Sequence, residues 1–337
     1  MTLIPDFGQT TSDKQVLNLG PFEVRFDENR PFFLEGTDLF SIGNVFYSRR
    51  IGARTFNYGA AQSNVNDSLS EEVTGNPELA ALINGTKVSG RTSSGLGIGV
   101  FNAIENRAFA TISDPSGNSR KVETHPLTNY NVFVLSQNLK NNSRVSFVNT
   151  NVMREGTNRD ANVSVGQTEI FSKDRNFLLS AELKVSSIFE EGTPELGHAL
   201  NVGLDKVSGI WQYGFSYSEE SDTYDPNDLG FLYNNNSRGY FADVSWNDFS
   251  PGKYFLRKWV NAGIYYEELY KPKLFSYGGL EVETVGTFKN FLTVGLNGSV
   301  NPFGEVNHFE SRRFGKEVRY NPNFSLGGFY SRDYSKR

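Results

Sequence analysis

The chain has 337 residues, of which 37% are hydrophobic, 14% are aromatic and 33 are glycine, enough for one large all-β unit or two ordinary domains. Its formal charge of -5 argues against a nucleic-acid partner, because neutralising phosphates requires a basic surface. The absence of cysteine excludes disulfides and thiolate chemistry. Abundant glycine and aromatic residues favour strands, and no stretch is long and apolar enough to be a transmembrane helix.

Residues 1–43 are interpreted as an N-terminal anchor segment, ahead of a strand-rich region over residues 44–337. In "RPFFLEG", Pro31 limits backbone freedom, while Phe32 and Phe33 can insert into a packed surface. Glu35 is available to pair with an arginine. The segment therefore reads as an element that packs against the remainder of the chain.

Residues 44–58 contain the motif "FYSRRIG" and are predicted to form the first strand. On a strand, Arg49 and Arg50 would point to opposite faces, so one would enter the interior of the fold. Together with Arg257 they are candidates for lining an interior or contacting a ligand. The cost of burying an unpaired charge favours a structural role over ligand contact.

The stretch "GLGIGVFN", residues 95–102, superficially resembles a dinucleotide-binding loop. It lacks the third glycine and a following helix, and it lies within an alternating pattern. Small residues in a curved strand explain it better than a nucleotide site.

Alternation of apolar with polar or glycine residues predicts half-buried strands from residue 177 onward. "WQYGFSYS" shows it clearly, with Trp211, Tyr213, Phe215 and Tyr217 on one face. The same alternation occurs at residues 177–185, 200–205, 242–247, 256–264 and 292–300. Strands of about nine to twelve residues are long for a soluble sandwich and suit a tilted membrane strand.

The predicted connections alternate between short and long along the chain, as in an up-and-down barrel with one rim in the periplasm. The expected short turns lie near residues 92–94, 140–143, 172–175, 207–208 and 287–289, and the long ones at 105–129, 154–161, 187–197, 219–237, 269–275 and 302–323. We count about fourteen strands, ending at residues 324–332. The all-β fold is thus expected to be an up-and-down antiparallel transmembrane β-barrel, with its polar face inward and its aromatic face toward lipid.

Two groups of residues outside the arginines are candidate sites. The loop "DTYDPNDLG" offers Asp222, Asp225, Asn227 and Asp228 to a hard cation, although its spacing misses the EF-hand pattern and an Asx-Pro turn explains it better. Aromatic residues near strand ends are interpreted as a membrane girdle, with sugar stacking as the alternative. They are Tyr217, Trp246, Trp259, Tyr265 and Tyr266.

The sequence offers no recognisable catalytic machinery and no cofactor motif. His125, His198 and His308 are isolated and lack zinc-ligand spacing. The adjacent Glu190 and Glu191 are the one arrangement reminiscent of a glycosidase pair, and their position in a loop favours a solvated rim. We therefore expect no enzymatic activity.

Several motifs in order resemble the outer-membrane β-barrel region of Bacteroidota proteins of the DUF5916 family. They are "DFGQTTSD" at residues 6–13, "RPFFLEGTDLF" at 30–40, "FYSRRIG" at 46–52, "TKVSGRTSSGLGIGVFNAI" at 86–104 and "DPNDLGFL" at 225–232. The resemblance covers nearly the whole chain and implies a bacterial outer-membrane location. The resemblance also implies that family members usually carry a carbohydrate-binding family 9-like domain ahead of the barrel, and we expect no such domain within these 337 residues.

Two functions remain open at the level of sequence. The first is an outer-membrane barrel that acts as a channel, docking platform or subunit of a surface complex handling glycan-related cargo, with outer-membrane lipid, glycans and envelope proteins as partners. The second is a carbohydrate-active or carbohydrate-binding β protein whose long loops form a saccharide site. An apolar face turned outward distinguishes the first from the second. Because Arg332, Asp333, Lys336 and Arg337 form a charged end, we also expect the barrel to lack closing strands.

Overall fold

The computed structural model describes residues 17–156, 158–190, 192–313 and 315–332. Residues 1–16 of the predicted anchor segment, and Asp333, Lys336 and Arg337 of the charged end, lie outside this part of the chain. Within it, no helix has the length and apolar character needed to cross a membrane.

Regular structure in the described residues is dominated by strands. The short helices are α1 (Pro31–Leu34) and α2 (Ala60–Ser63), with 3-10 turns at Ile42–Asn44, Ser48–Arg50, Asp67–Leu69 and Lys140–Asn142. The first nine strands are β1 (Glu72–Gly75), β2 (Leu82–Arg91), β3 (Leu96–Glu105), β4 (Ala108–Ser113), β5 (Ser119–His125), β6 (Thr128–Asn138), β7 (Arg144–Arg154), β8 (Asp160–Phe171) and β9 (Phe177–Phe189). The others are β10 (Glu195–Lys206), β11 (Trp211–Glu220), β12 (Ser237–Asp248), β13 (Phe255–Glu268), β14 (Phe275–Phe288), β15 (Thr293–Asn301), β16 (Glu305–Asn307), β17 (Val318–Tyr320) and β18 (Asn323–Ser331).

Fifteen strands form one antiparallel sheet in which nearly every strand pairs with its neighbour in sequence. The order runs β2, β3, β6 to β15 and β18, and the β16–β17 hairpin extends from β14. Strands β1, β4 and β5 form a separate three-stranded sheet. The all-β antiparallel expectation is confirmed. No pairing joins β2 to β18 in the described residues, so β18 lies at an edge, and the sheet seen here is not a closed barrel of fourteen strands.

The alternation of loop lengths is less marked than the sequence predicts. Strands extend into three regions predicted as long loops, leaving connections of only residues 155–159, 190–194 and 269–274. The three remaining long connections, at 106–127, 221–236 and 302–322, all lie at the same end of the sheet, which we call the long-loop end.

The predicted first strand over residues 44–58 is wrong. The chain turns at Gly43, directly before this segment, and again within it at the 3-10 helix Ser48–Arg50 and at Gly52; the φ angles of the two glycines are 74° and 73°. Such positive φ angles interrupt an extended strand and favour glycine. At Gly43 an added Cβ would also lie 2.9 Å from the Val165 side chain. Close packing thus replaces strand pairing in this segment.

Residues 17–56, which we call the N-terminal segment, pack against one face of the main sheet. The ring of Phe101 in β3 lies 5.1 Å from Phe46 and 6.0 Å from Phe33, measured between centroids. The core formed between the segment and strands β3, β6, β7 and β8 also contains Leu39, Phe40, Ile42, Val45, Ile51, Val132, Val134, Val148 and Val165. We call the covered side of the sheet the inner face and the opposite side the outer face.

The glycines of "GLGIGVFN" make this packing possible. A Cβ at Gly97 would lie 2.8 Å from Leu39, and one at Gly99 would lie 3.2 Å from the Phe40 ring. These glycines therefore leave room on β3 for two large side chains of the N-terminal segment. The structure gives the stretch a packing role within a strand, as the sequence favoured.

Candidate functional site

A buried acid and a buried histidine bind the backbone of the N-terminal segment at the long-loop end. Glu105, the last residue of β3, is 1% exposed, and its carboxylate lies 3.0 Å from His125 Nε2. The Gly52 N–H and the Tyr130 hydroxyl also donate to this carboxylate. The Phe56 N–H donates to His125 Nδ1 at 3.1 Å, which leaves Nε2 as the ring donor. Two sheet residues thus fix the segment at Gly52 and Phe56.

Two arginines beside this pair hold the loop 221–236 on the same end of the sheet. Arg154 at the end of β7 donates to Asp228 at 2.8 Å, with side chains 5% and 7% exposed. Arg159 contacts both Asp225 and Asp228. Burial alone would lower the pKa of Arg159, but the contacts with Asp228 and Asp225 outweigh it and raise that pKa, so the guanidinium stays charged.

A second ion pair closes the N-terminal segment on itself. Arg30 donates to Glu28 and to the carbonyl oxygens of Ser48 and Ile51, at 2.7 to 2.8 Å. Burial by itself raises the pKa of Glu28, but hydrogen bonds from Arg30 and Ser48 outweigh it and lower this pKa to about 2. The carboxylate is therefore ionised at neutral pH and ties residues 28–30 to 48–51.

The predicted interior arginines take structural positions. Arg49 donates to the Asp27 carbonyl, and Arg50 donates to Glu23 and to the Gly230 carbonyl. Since both lie on a 3-10 turn, the expectation that they point to opposite faces of a strand is wrong. Arg257 lies in β13 on the inner face and donates to Thr287 at 3.3 Å. It lines a cavity of about 400 Å³ with Trp259, Asn261 and Glu283.

The four residues predicted as a cation loop all have protein partners. Asp225 and Asp228 bind arginines, as above, and the Asn227 side chain accepts from the Leu232 N–H at 2.7 Å. Asp222 lies 3.5 Å from Lys271. No group of three or more His, Cys, Asp or Glu side chains in the described ranges is arranged to hold a metal. The loop anchors the N-terminal segment, since Leu229 also accepts from the Tyr47 N–H.

The outer face of the sheet is apolar and uncovered. Trp211, Tyr213 and Phe215 are 58%, 50% and 52% exposed, although they form a continuous row along β11. Neighbouring strands continue this surface with exposed residues, namely Leu179, Leu183, Leu204, Val244, Ile264, Leu280, Leu296, Phe324 and Leu326. The side chains predicted to share the apolar face of β11 are thus exposed, and the outward orientation of this face toward lipid stays a prediction.

A row of tyrosines and then a row of charges end the apolar surface at the long-loop end. The rings of Tyr217 and Tyr240 are 5.2 Å apart, and those of Tyr240 and Tyr266 are 6.3 Å apart. One step closer to the loops, Arg238 binds Glu219 and Glu268 on adjacent strands. This order of apolar band, aromatic row and charged row is typical of a membrane interface.

The five predicted interface aromatics are divided between the two faces. Tyr217, Trp246 and Tyr266 share the outer face, as their strand registers show. Trp259 and Tyr265 lie on the inner face, where Tyr265 donates to Asn301. For these two residues the expectation of a lipid-facing girdle does not agree with the register.

The inner face beyond the N-terminal segment is polar and acidic. Asp205, Asp243 and Glu281 stand in one register row, separated by Gly214 and Gly263 on the intervening strands. The Asp205 and Asp243 carboxylates both lie over Gly214, and the Phe241 ring lies over Gly263 next to the Glu281 side chain. The row gives this half of the inner face a negative character.

Sequence reasoning missed the partners that make the anchor. The three histidines, considered in the sequence only for zinc-ligand spacing, each lie near a glutamate. His125 pairs with Glu105, and His198 and His308 lie 3.0 and 3.6 Å from Glu219 and Glu317. Arg154 and Arg159 lie in no recognisable sequence motif, so the sequence did not identify them as part of the anchor. Of the Glu190–Glu191 pair, Glu191 lies outside the described residues.

The family model described as "Domain of unknown function (DUF5916)" matches residues 1–337. The chain belongs to the DUF5916 family. Among curated proteins, none matches this DUF5916 chain.

Two solved structures are similar to the DUF5916 chain at low scores. The crystal structure of Pseudomonas aeruginosa OccK5 (OpdH) has a TM-score of 0.27 and 10% identity, covering 77% of this chain and 94% of that one. The crystal structure of Pseudomonas aeruginosa OccK7 (OpdD) has a TM-score of 0.20 and 13% identity, covering 74% and 91%.

Proposed function

We propose that this DUF5916 protein is an integral outer-membrane protein whose long antiparallel sheet stands in lipid and encloses a channel-like interior that the N-terminal segment partly fills. The exposed apolar side chains of the outer face are the observation that supports this proposal most directly. A water-soluble protein rarely leaves so many large apolar side chains exposed on adjacent strands. A membrane strand requires this arrangement, because its outer residues contact acyl chains.

The inner face supports a channel that is restricted along one side. The N-terminal segment covers β3, β6, β7 and β8, while the inner face of strands β10 to β14 remains polar. Solutes would pass along this second half, beside the carboxylates of Asp205, Asp243 and Glu281. Unpaired backbone groups are costly in lipid, so the proposal requires that the edges of β2 and β18 are paired in the membrane.

Exposure of the outer face supports this function over a soluble saccharide-binding protein, in which the same face would form a core. We propose no catalytic role and no cofactor. The expected partners are outer-membrane lipid and the solutes that enter the interior.

The three tryptophans provide a direct test. Trp211 and Trp246 are in register on the outer face, and Trp259 lies on the inner face. Variants that retain a single tryptophan, with phenylalanine at the other two positions, would be refolded into vesicles containing lipid brominated on the upper acyl chain. We expect strong fluorescence quenching of Trp211 and Trp246 and weak quenching of Trp259. Equal quenching of all three, or a monodisperse monomer without detergent, would refute the membrane placement.

A further inference from the structure

A cavity of about 610 Å³ lies between the N-terminal segment, the ends of β3, β6 and β7, and the loop 221–236. Four arginines and three acidic residues line it, so cationic groups are in excess. The arginines are Arg50, Arg54, Arg154 and Arg159. Such a volume is typical of small-molecule sites.

Two of the four arginines already form ion pairs with acidic side chains of the protein. Arg50 binds Glu23, and Arg159 binds Asp225 and Asp228. Arg54 differs, because it forms no ion pair with any described residue. Its guanidinium lies 4.0 Å above the Tyr58 ring, which holds its position while leaving its N–H groups available.

Arg154 has a buried donor that the protein does not use. Its side chain is 5% exposed, and its Nε has no hydrogen-bond partner within the part of the chain that the structure describes. A buried N–H without a partner is destabilising, and most such groups in proteins are paired. The Phe56 ring lies 4.3 Å from the same guanidinium and forms an apolar wall beside it.

We propose that this cavity binds a small organic anion, whose carboxylate or phosphate oxygens accept hydrogen bonds from Arg154 Nε and from Arg54. Guanidinium groups suit such oxyanions because several N–H donors lie in one plane. The carbon body of the ligand packs against Phe56. This binding does not depend on the membrane placement proposed above, since the site is formed by the N-terminal segment and the long-loop end of the sheet.

Calorimetric titration of the detergent-solubilised protein tests the proposal. The probes are gluconate as the carboxylate, glycerol 3-phosphate as the phosphate ester, and glycerol as the neutral control. We expect at least one anion to bind and glycerol to give no saturable heat. The two anionic arms distinguish a carboxylate ligand from a phosphate ligand. Absence of saturable binding for both anions, as expected if water alone satisfies Arg154, would overturn the proposal.

Variants then assign the binding to these two arginines. Arg54→Gln removes a cation that makes no ion pair in the described structure, so we expect normal folding and affinity reduced about tenfold or more. Arg154→Lys keeps a cation beside Asp228 but lacks Nε, and we expect a comparable loss. Arg175→Gln changes an exposed arginine at the opposite end of the sheet and should bind like the wild type. Unchanged affinity in both Arg54→Gln and Arg154→Lys would place the anion elsewhere.

Discussion

The Glu105 carboxylate lies 3.0 Å from His125 Nε2, and both side chains are almost completely buried. Because the same two residues also accept hydrogen bonds from the backbone N–H groups of Gly52 and Phe56, they connect the main sheet and the three-stranded sheet to the N-terminal segment. Stability of the segment should therefore depend on an acceptor at position 105.

Replacing Glu105 with Gln tests this dependence. The amide NH2 group would face at least one of the donors that now point at the carboxylate, so we expect a loss of about 1–3 kcal/mol in the free energy of unfolding. Glu123→Gln, at an exposed position in β5, serves as the control and should change stability by about 0.5 kcal/mol or less. Denaturant titrations in micelles measure both. Equal stability of the two variants would contradict the role given to Glu105.

The buried pair of Arg154 and Asp228 should matter far more than the exposed pair of Asp222 and Lys271. Asp228→Ala leaves Arg154 buried with one fewer partner, which typically costs about 3–5 kcal/mol. Asp222→Ala removes a contact of 3.5 Å to a lysine that is mostly solvated, and such pairs contribute about 1 kcal/mol or less. Limited proteolysis of the loop 221–236 would reveal its release in the first variant. If both variants are cleaved at the same rate, the loop is held by other contacts.

The lowered pKa of Glu28 predicts an acid-dependent step. A carboxyl group whose pKa falls from 4.5 to about 2 on folding stabilises the folded chain above pH 4.5, and this contribution is lost as the pH falls toward 2. We expect Glu28→Gln to be less stable than the wild type by about 2–3 kcal/mol at pH 7. The difference should shrink between pH 4.5 and pH 2. A difference that stays constant over this range would show that ionisation of Glu28 does not stabilise the fold.

An arginine placed on the outer face of β12 should reduce folding into vesicles more than an arginine placed on the inner face. Val244 is exposed on the outer face, whereas the Ser245 hydroxyl on the inner face accepts from Asn261 at 2.7 Å. In the proposed membrane placement, Val244→Arg puts a charge in lipid, at a cost of about 2–4 kcal/mol near the bilayer midplane. Ser245→Arg places it beside the acidic row and should assemble better. Folding yields in vesicles compare the two, and equal yields would mean that the faces are assigned wrongly.

The sequence was sufficient to predict which face of a strand each side chain occupies, because the alternation of apolar and polar residues is a local property. Phe215 and Leu204 are exposed on the outer face as their patterns predict. The same rule, applied strictly, would have separated Tyr265 from Tyr266, since adjacent residues on a strand cannot share a face. Grouping aromatics by their nearness to strand ends therefore misplaced Tyr265 and Trp259.

The path of the N-terminal segment could not be predicted from its local sequence. Val45 and Phe46 have strand-forming character, but their position is decided by packing against Phe101, far away in the sequence. The contact between Glu105 and His125 has no local signal either, because β4 and most of β5 lie between them in the sequence. Tertiary contacts of this kind are visible only once the strand order is known.

The long-range contacts of the N-terminal segment also set an order of assembly. Each strand from β7 to β15 pairs with the strand before it in sequence, so the sheet can grow one strand at a time. Arg50, in contrast, donates to Gly230, a separation of 180 residues, and Arg312 donates to the Leu19 carbonyl, a separation of 293 residues. These two contacts of the N-terminal segment can therefore form only after most of the sheet has been made. During this interval the N-terminal segment lacks its contacts at Gly230 and Arg312, and binding by a holdase chaperone would protect the incomplete chain from aggregation.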